Sequence, residues 1–209
     1  MTRLPYIPET PSQTAGPFLH IGLLPDRVGL SGMAPIASNV LVSNRTQGER
    51  IAIEGRVFDG TGSPCRDVLI ELWQADAQGR YPHPADAREG QAPDPAFSGF
   101  GRTGTDFATG LFRFETVKPG RVAGRHGYKP MAPHVSLWLA ARGINVGLST
   151  RMYFSDEAEA NAADPVLAII EQPSRRLTLI GHREERADGI VYVFDIHLQG
   201  ERETVFFDV

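Results

Sequence analysis

Short runs in which apolar and polar residues alternate recur along this sequence, and glycine or proline bounds most of them. Clear examples are the stretches 50–58, 111–117 and 134–141. Alternation with a period of two puts every second side chain on one face of a β-strand, whereas a helix needs a period near 3.6. With 22 glycines and 16 prolines in 209 residues, the chain has many turns between short strands. The pattern predicts an all-β fold.

Further strands and a little helix are predicted in the remaining sequence. The other strand candidates are residues 67–73, 148–154, 177–183 and 189–198. The stretch 156–162 favours a short helix, because acidic residues crowd its first turn and Ser155 or Asp156 can act as the N-cap. Pro165 opens a second short segment with helical character, which Pro173 should end.

The first 20 residues are predicted to be an extended arm. They contain prolines at positions 5, 8, 11 and 17, and proline lacks a backbone donor and restricts the residue before it. The rest of the sequence has neither an internal repeat nor a linker-like segment. Residues 1–209 are therefore predicted to form a single domain, with 1–20 as its arm.

Composition argues against several classes of partner. The formal net charge is −4 and the two signs are interspersed, so there is no basic patch for nucleic acid or an anionic membrane. No window approaches the roughly 20 apolar residues of a membrane span. Cys65 is the only cysteine, which excludes an intrachain disulfide and fits a reducing compartment. We expect a cytoplasmic protein that binds neither nucleic acid nor membrane.

Common catalytic motifs are missing. The sequence has no Gly-x-Ser-x-Gly elbow, no Gly-x-Gly-x-x-Gly and no phosphate loop. None of its six histidines forms a His-x-His or His-x-x-x-His pair. His134, at the start of an apolar strand, and Tyr81, in a polar loop, can each be ordinary packed residues. On spacing alone, neither is assigned to a site.

Several motifs, in order along nearly the whole chain, resemble the intradiol ring-cleavage dioxygenases. They are Thr-Pro-Ser-Gln-Thr-Ala-Gly-Pro-Phe (10–18), Gly-Arg-Val-Phe-Asp-Gly (55–60), Glu-Leu-Trp-Gln-Ala-Asp-Ala-Gln-Gly-Arg-Tyr (71–81) and Lys-Pro-Gly (118–120). Other strings, at 140–145, 152–154, 157–161 and 203–208, resemble the alpha chains of the family members built from two kinds of chain. The resemblance implies an antiparallel β-sandwich core with long loops and one or two short helices.

The resemblance also implies an activity. In this family a ferric ion, held by two tyrosinates and two histidines, activates a bound catecholate toward O2. The implied reaction is cleavage of 3,4-dihydroxybenzoate (protocatechuate) by O2 to 3-carboxy-cis,cis-muconate, in the β-ketoadipate route of aromatic degradation. The implied cofactor is Fe(III) held by a homologous beta subunit. This chain would be the alpha subunit of the hetero-oligomer, inactive alone and binding no metal itself.

Two of the four ligand positions have lost their donors. By resemblance, the tyrosine positions are Tyr81 and Val122, and the histidine positions are His134 and Ser136. Fe(III) is a hard acid that favours phenolate oxygen. Valine has no donor atom and serine is a weak neutral ligand, so we expect a vestigial site in which Tyr81 and His134 bond each other or water.

The resemblance assigns this chain a different role, at the partner's iron. Thr14, Gly16 and Pro17 match the part of the arm that approaches the substrate, and Arg142 can pair with the substrate carboxylate. Two alternatives stay open. The chain can be a structural scaffold without substrate contact, or a self-sufficient metalloenzyme that uses Tyr81, His134 and further ligands.

Overall fold

A computed structural model of the chain describes residues 13–16, 18–30, 38–86, 92–124 and 129–208. The described residues form nine strands and four α-helices, with two short 3-10 turns. Pro17 and residues 1–12 of the predicted arm lie outside the described residues. No helix in the described part of the chain has both the length and the apolar character to cross a bilayer.

The strands account for most of the regular structure. They are β1 (Arg50–Phe58), β2 (Leu69–Gln74), β3 (Phe100–Gly104), β4 (Leu111–Val117), β5 (His134–Ala140), β6 (Leu148–Phe154), β7 (Ile180–Arg186), β8 (Gly189–Val193) and β9 (Ile196–His197). An all-β fold is confirmed. The predicted bounds of β1, β4 and β6 are confirmed. Burial alternates along β4 as the sequence does, whereas β1 and β6 also contain consecutive buried residues.

The strands form one mixed sheet, in the order β3-β2-β5-β6-β7-β8-β1-β4, with β9 beside β1. Five pairings are antiparallel, but β1 runs parallel to β8 and β9, and β6 runs parallel to β7. Most pairings are therefore antiparallel, as expected, and the three parallel pairings were not predicted. Parallel neighbouring strands need long crossover connections. The alternation of residues predicts single strands but not which distant strands pair.

The described residues form more helices than the one or two that were expected. The four helices are α1 (Leu19–Leu23), α2 (Ala158–Ala162), α3 (Pro165–Ile169) and α4 (Pro173–Leu177). The end of the predicted arm is thus helical, since α1 begins at Leu19. Pro173 starts α4 instead of only ending its predecessor, because the first helical position needs no backbone N–H.

The predicted N-cap of α2 is also wrong. Glu157 precedes this helix and makes no side-chain cap. The Asp156 carboxylate instead accepts bonds from Lys118 Nζ at 2.7 Å and from Tyr192 Oη at 2.9 Å. A charged partner and a phenol therefore compete successfully with the helix for this side chain.

The main core lies between two halves of the sheet, which the two-residue β6–β7 pairing joins. Its fully buried side chains include Ile53, Leu72, Phe112, Phe114, Leu139, Phe154 and Tyr192. A smaller cluster on the other side of β6 contains Ala132, Tyr153, Ala160, Leu167 and Leu179. The outer face of β2, β5 and β6, opposite the main core, carries the candidate site.

Candidate functional site

The pairing register aligns several polar side chains across β2, β5 and β6. Ser136 of β5 pairs with Trp73 of β2 and with Arg151 of β6. Two residues earlier on β5, His134 pairs with Tyr153. Directly paired residues, and residues two apart on one strand, point to the same face of a sheet. His134, Ser136 and Arg151 therefore share one face.

His134 and Tyr81 meet on this face. His134 Nδ1 lies 2.7 Å from the Ala132 carbonyl oxygen, which only accepts, so Nδ1 carries the proton and donates. The other nitrogen, Nε2, is then an acceptor and lies 3.4 Å from Tyr81 Oη. The Tyr81 ring also stacks on Trp73, with 5.6 Å between centroids. Both side chains are held by several contacts.

The environment of His134 keeps its ring neutral. Its side chain is buried, with 1% relative exposure. Burial, together with the positive charge of Arg151, lowers the pKa of His134 from 6.5 to about 4. The bond to Ala132 opposes this shift without cancelling it. At neutral pH the site therefore contains one guanidinium cation and an uncharged imidazole.

Asp164 fixes the position of this segment. It is fully buried, and its Oδ2 accepts a bond of 2.7 Å from the backbone N–H of Ala132. Its Oδ1 caps α3 through the N–H groups of Val166 and Leu167, and also accepts from Tyr153 Oη at 3.2 Å. Four donors on one carboxylate tie the start of β5 to the helix beside it.

Val122 reaches the same neighbourhood from the loop after β4. It forms a bridge with Met131, and Met131 Sδ lies 3.5 Å from Arg151 Nη1. A close approach makes this possible, since a Cβ on Gly120 would lie 2.6 Å from the Ala77 carbonyl oxygen. The Lys-Pro-Gly motif thus lets the Val122 loop pack against the loop that leads to Tyr81.

The four ligand positions therefore lie in one neighbourhood, but their side chains do not fit ferric iron. Tyr81 and His134 offer one phenol and one imidazole, while Val122 offers no donor. Ser136 offers a neutral hydroxyl opposite the Arg151 guanidinium, whose charge opposes a metal cation. Within the described residues there is also no group of three His, Cys, Asp or Glu side chains able to hold a metal.

A second region joins the arm to the turn after β5. Thr14 Oγ1 accepts a hydrogen bond of 2.7 Å from the Gly143 N–H. Gly143 has a φ of 85°, and the turn that contains it is closed by a bond from the Ile144 N–H to the Ala141 carbonyl oxygen. Beside it, the Arg142 side chain is 63% exposed and pairs with Asp67. We name Thr14, Asp67, Arg142 and Gly143 the arm–turn surface.

Gly16 lies two residues beyond Thr14. A Cβ built on Gly16 would meet no atom within 4 Å. Nothing described in this chain therefore requires a glycine there. The predicted site residue next to it, Pro17, lies outside the described residues.

Residues 32–200 match the family model Dioxygenase_C, described as a dioxygenase. The chain belongs to this dioxygenase family. The match confirms the family that the motifs predicted. Individual relatives are similar over most of the chain. One of them, the protocatechuate 3,4-dioxygenase alpha chain of Pseudomonas putida, is 50% identical over 202 residues, 97% of either chain. The protocatechuate 3,4-dioxygenase beta chain of Burkholderia cepacia is 39% identical over 178 residues, 81% of this chain and 72% of that one.

The fold is likewise that of solved members of the dioxygenase family. The structure of 3-chlorocatechol 1,2-dioxygenase from Rhodococcus opacus 1CP superposes with a TM-score of 0.59, over 79% of this chain and 68% of that one, at 21% identity. At this identity the likeness concerns the fold alone.

Two residues of the site escaped the sequence analysis. Arg151 sits in a strand that alternation predicts correctly, but only the β5–β6 register puts it opposite Ser136. Asp164 precedes a proline that opens a helix, which is a recognisable N-cap signal. Its bonds to Ala132 and Tyr153 join segments far apart in the sequence, and no local signal indicates them.

Proposed function

We propose that this chain is the non-iron alpha subunit of a protocatechuate 3,4-dioxygenase. It would complete the substrate pocket of a homologous beta subunit, whose Fe(III) supplies the reaction with O2. The observation that carries the proposal is the pair of Val122 and Ser136 at positions where a working iron site needs donors. The 50% identity to an alpha chain over almost its full length supports the same assignment.

The arm–turn surface is what this chain would bring to the partner's site. The Arg142 guanidinium is largely exposed, and its fork of N–H groups suits a carboxylate. Asp67 on one side limits the directions that the guanidinium can take. Thr14 holds the arm against the same turn. In this proposal Arg142 anchors the substrate carboxylate, while the arm, with Gly16 and Pro17, forms a wall of the pocket.

Substitution of Arg142 tests the role in substrate binding. In the complex purified with its iron-bearing partner, Arg142→Ala should raise the KM for protocatechuate roughly tenfold or more, because a charged hydrogen bond is lost. Arg142→Lys should restore part of the affinity, and the exposed Arg202→Ala serves as the matched control. Assembly is followed by size-exclusion chromatography. An unchanged KM in an intact complex would leave only the scaffold role.

Gly16→Ala tests the approach of the partner separately. The added methyl group meets open space in this chain, so the stability of the free chain should stay constant. A change in KM or assembly then reports a contact made by the partner or the substrate. Metal analysis covers the remaining alternative, because stoichiometric iron with dioxygenase activity in the chain expressed alone would contradict the proposal.

A further inference from the structure

A cavity of about 380 Å³ opens on the outer face of β2, β5 and β6, next to Ser136. Of the four ligand positions, Ser136 lines it, and another wall is Trp73, which stacks on Tyr81. This volume is within the range of small-molecule sites. The small side chain at position 136 therefore borders open space.

Arg151 brings a positive charge to this cavity. Its Nη1 donates to Met131 Sδ at 3.5 Å, and the nearby guanidinium charge acts to lower the pKa of Tyr153. The contact with Met131 orients the group and leaves further N–H donors available. Arg151 takes part in none of the ion pairs formed within the described residues.

The carboxylates that line the cavity do not neutralise this charge by direct pairing. Glu71 is bound to Arg102, with 2.6 Å between Oε1 and Nη2. Asp208 is exposed at the edge of the cavity, and among the described residues no ion pair joins it to Arg151. A partly buried guanidinium without a direct counter-ion favours an anionic ligand.

The walls around this cation are aromatic. They are contributed by Trp73, Phe100, Trp138 and Phe207. The backbone of Phe207 bridges to Ser149 and so brings the C-terminal segment over β6. Aromatic walls favour a flat ring as ligand, because rings gain from stacking and edge contacts beyond the area that they bury.

We propose that this cavity is a binding site for an aromatic carboxylate, with the carboxylate on Arg151 and the ring against the tryptophans. A cation site would thus have become an anion site, through loss of two donors and the presence of Arg151. The inference does not rest on the proposed function, since it concerns this chain's own cavity and involves no iron.

Tryptophan fluorescence gives a direct test. The chain has two tryptophans, and both line the cavity. Titration of the full chain with benzoate should quench their emission with saturation. Benzamide, which has the same ring without the charge, and acetate, which has the charge without the ring, should each bind at least about tenfold more weakly. Equal binding of benzoate and benzamide would overturn the role of Arg151.

Variants extend the test. Arg151→Gln should weaken benzoate binding about tenfold or more, whereas Arg151→Lys should retain part of it. Arg202→Gln, on the exposed surface, is the matched control and should bind like the unsubstituted chain. The absence of saturable quenching by benzoate in the folded chain would overturn the site, whatever the variants do.

If a variant folds poorly alone, calorimetric titration of the assembled complex counts the benzoate molecules that it binds. We expect Arg151→Gln to lower by one the number of benzoates bound to each pair of this chain and its partner, whatever the partner itself binds. The same number of benzoates per pair in both forms would overturn the inference. An effect on KM seen only with Arg142→Ala concerns the proposed function, and an effect on benzoate binding seen only with Arg151→Gln concerns this cavity. Failure of one proposal can therefore be told from failure of the other.

Discussion

His134 is 1% exposed and both of its ring nitrogens face groups of this chain, whereas the Arg142 side chain is 63% exposed with Asp67 as its ion-pair partner. The first region lies at the start of β5, within the packed structure. The second lies on a turn that the Thr14 hydroxyl joins to the arm, by accepting from the Gly143 N–H and donating to the Ala141 carbonyl oxygen. Both regions were predicted from family motifs, yet one is buried and the other is exposed.

The difference separates buried side chains that support the fold from an exposed side chain that is available to a ligand. A buried polar group is costly unless it is bonded, so the bonds of the His134 region have a structural use even without a metal. An exposed ion pair contributes little to stability. Substitutions in the first region should therefore change stability, and substitutions in the second should change binding.

The largest effect is expected from Asp164→Asn. The amide replaces an oxygen that accepts from Ala132 or the helix N-terminus with a donor, which leaves buried N–H groups unpaired. We expect a loss of about 3 kcal/mol in the free energy of unfolding, measured by urea denaturation. Asp188→Asn, at a 66% exposed side chain, is the control and should cost under about 0.5 kcal/mol. Similar losses in both variants would contradict the structural role of Asp164.

A pH dependence should identify His134 itself. Its pKa is about 4 in the folded chain and 6.5 in the unfolded chain, so between these values the unfolded state binds more protons. Stability therefore falls as the pH falls through this window, by about 2 kcal/mol from pH 7 to pH 5.

The measurement is urea denaturation at a series of pH values. His134→Gln should remove this share of the decline. His182→Gln, which removes an exposed histidine from β7, is the matched control. If the control flattened the profile as much as His134→Gln, the assignment to His134 would be wrong.

The smallest effect is expected from Thr14→Val on the arm–turn surface. This change removes the acceptor of the Gly143 N–H at an exposed position, where water can replace it. The free energy of unfolding should change by less than about 0.5 kcal/mol. Hydrogen exchange of the Gly143 amide should nevertheless become faster, and the arm should be cleaved sooner by protease. A global loss of stability would show that the arm belongs to the core.

The sequence was most informative where local pattern and tertiary structure agree. The bounds of β1, β4 and β6 follow from the alternation of apolar and polar residues, and in β4 the burial alternates in the same way. It was less informative for β3, whose five residues Phe100–Gly104 contain two glycines and alternate only weakly. The single-domain interpretation stays a prediction, as do the roles of Arg142 and the arm.

Long-range pairing is what the sequence could not supply. The parallel neighbours of β1 come from the end of the chain, and Arg151 meets Ser136 only through the β5–β6 register. The four ligand positions could be predicted in advance because the family motifs carry them, and they stay a prediction. The cation beside them could not, since no motif includes it.

The parallel pairing of β1 and β8 has a consequence for biosynthesis. The Arg56 N–H bonds to Asp195 Oδ1, which lies 139 residues further along the chain. At roughly 5–20 residues per second, a ribosome needs on the order of ten seconds to deliver that partner. During this interval β1 has an open edge on a nascent chain, and an open edge can pair with other strands. Yield of this protein should therefore depend on translation rate and on chaperones more than its final stability would indicate.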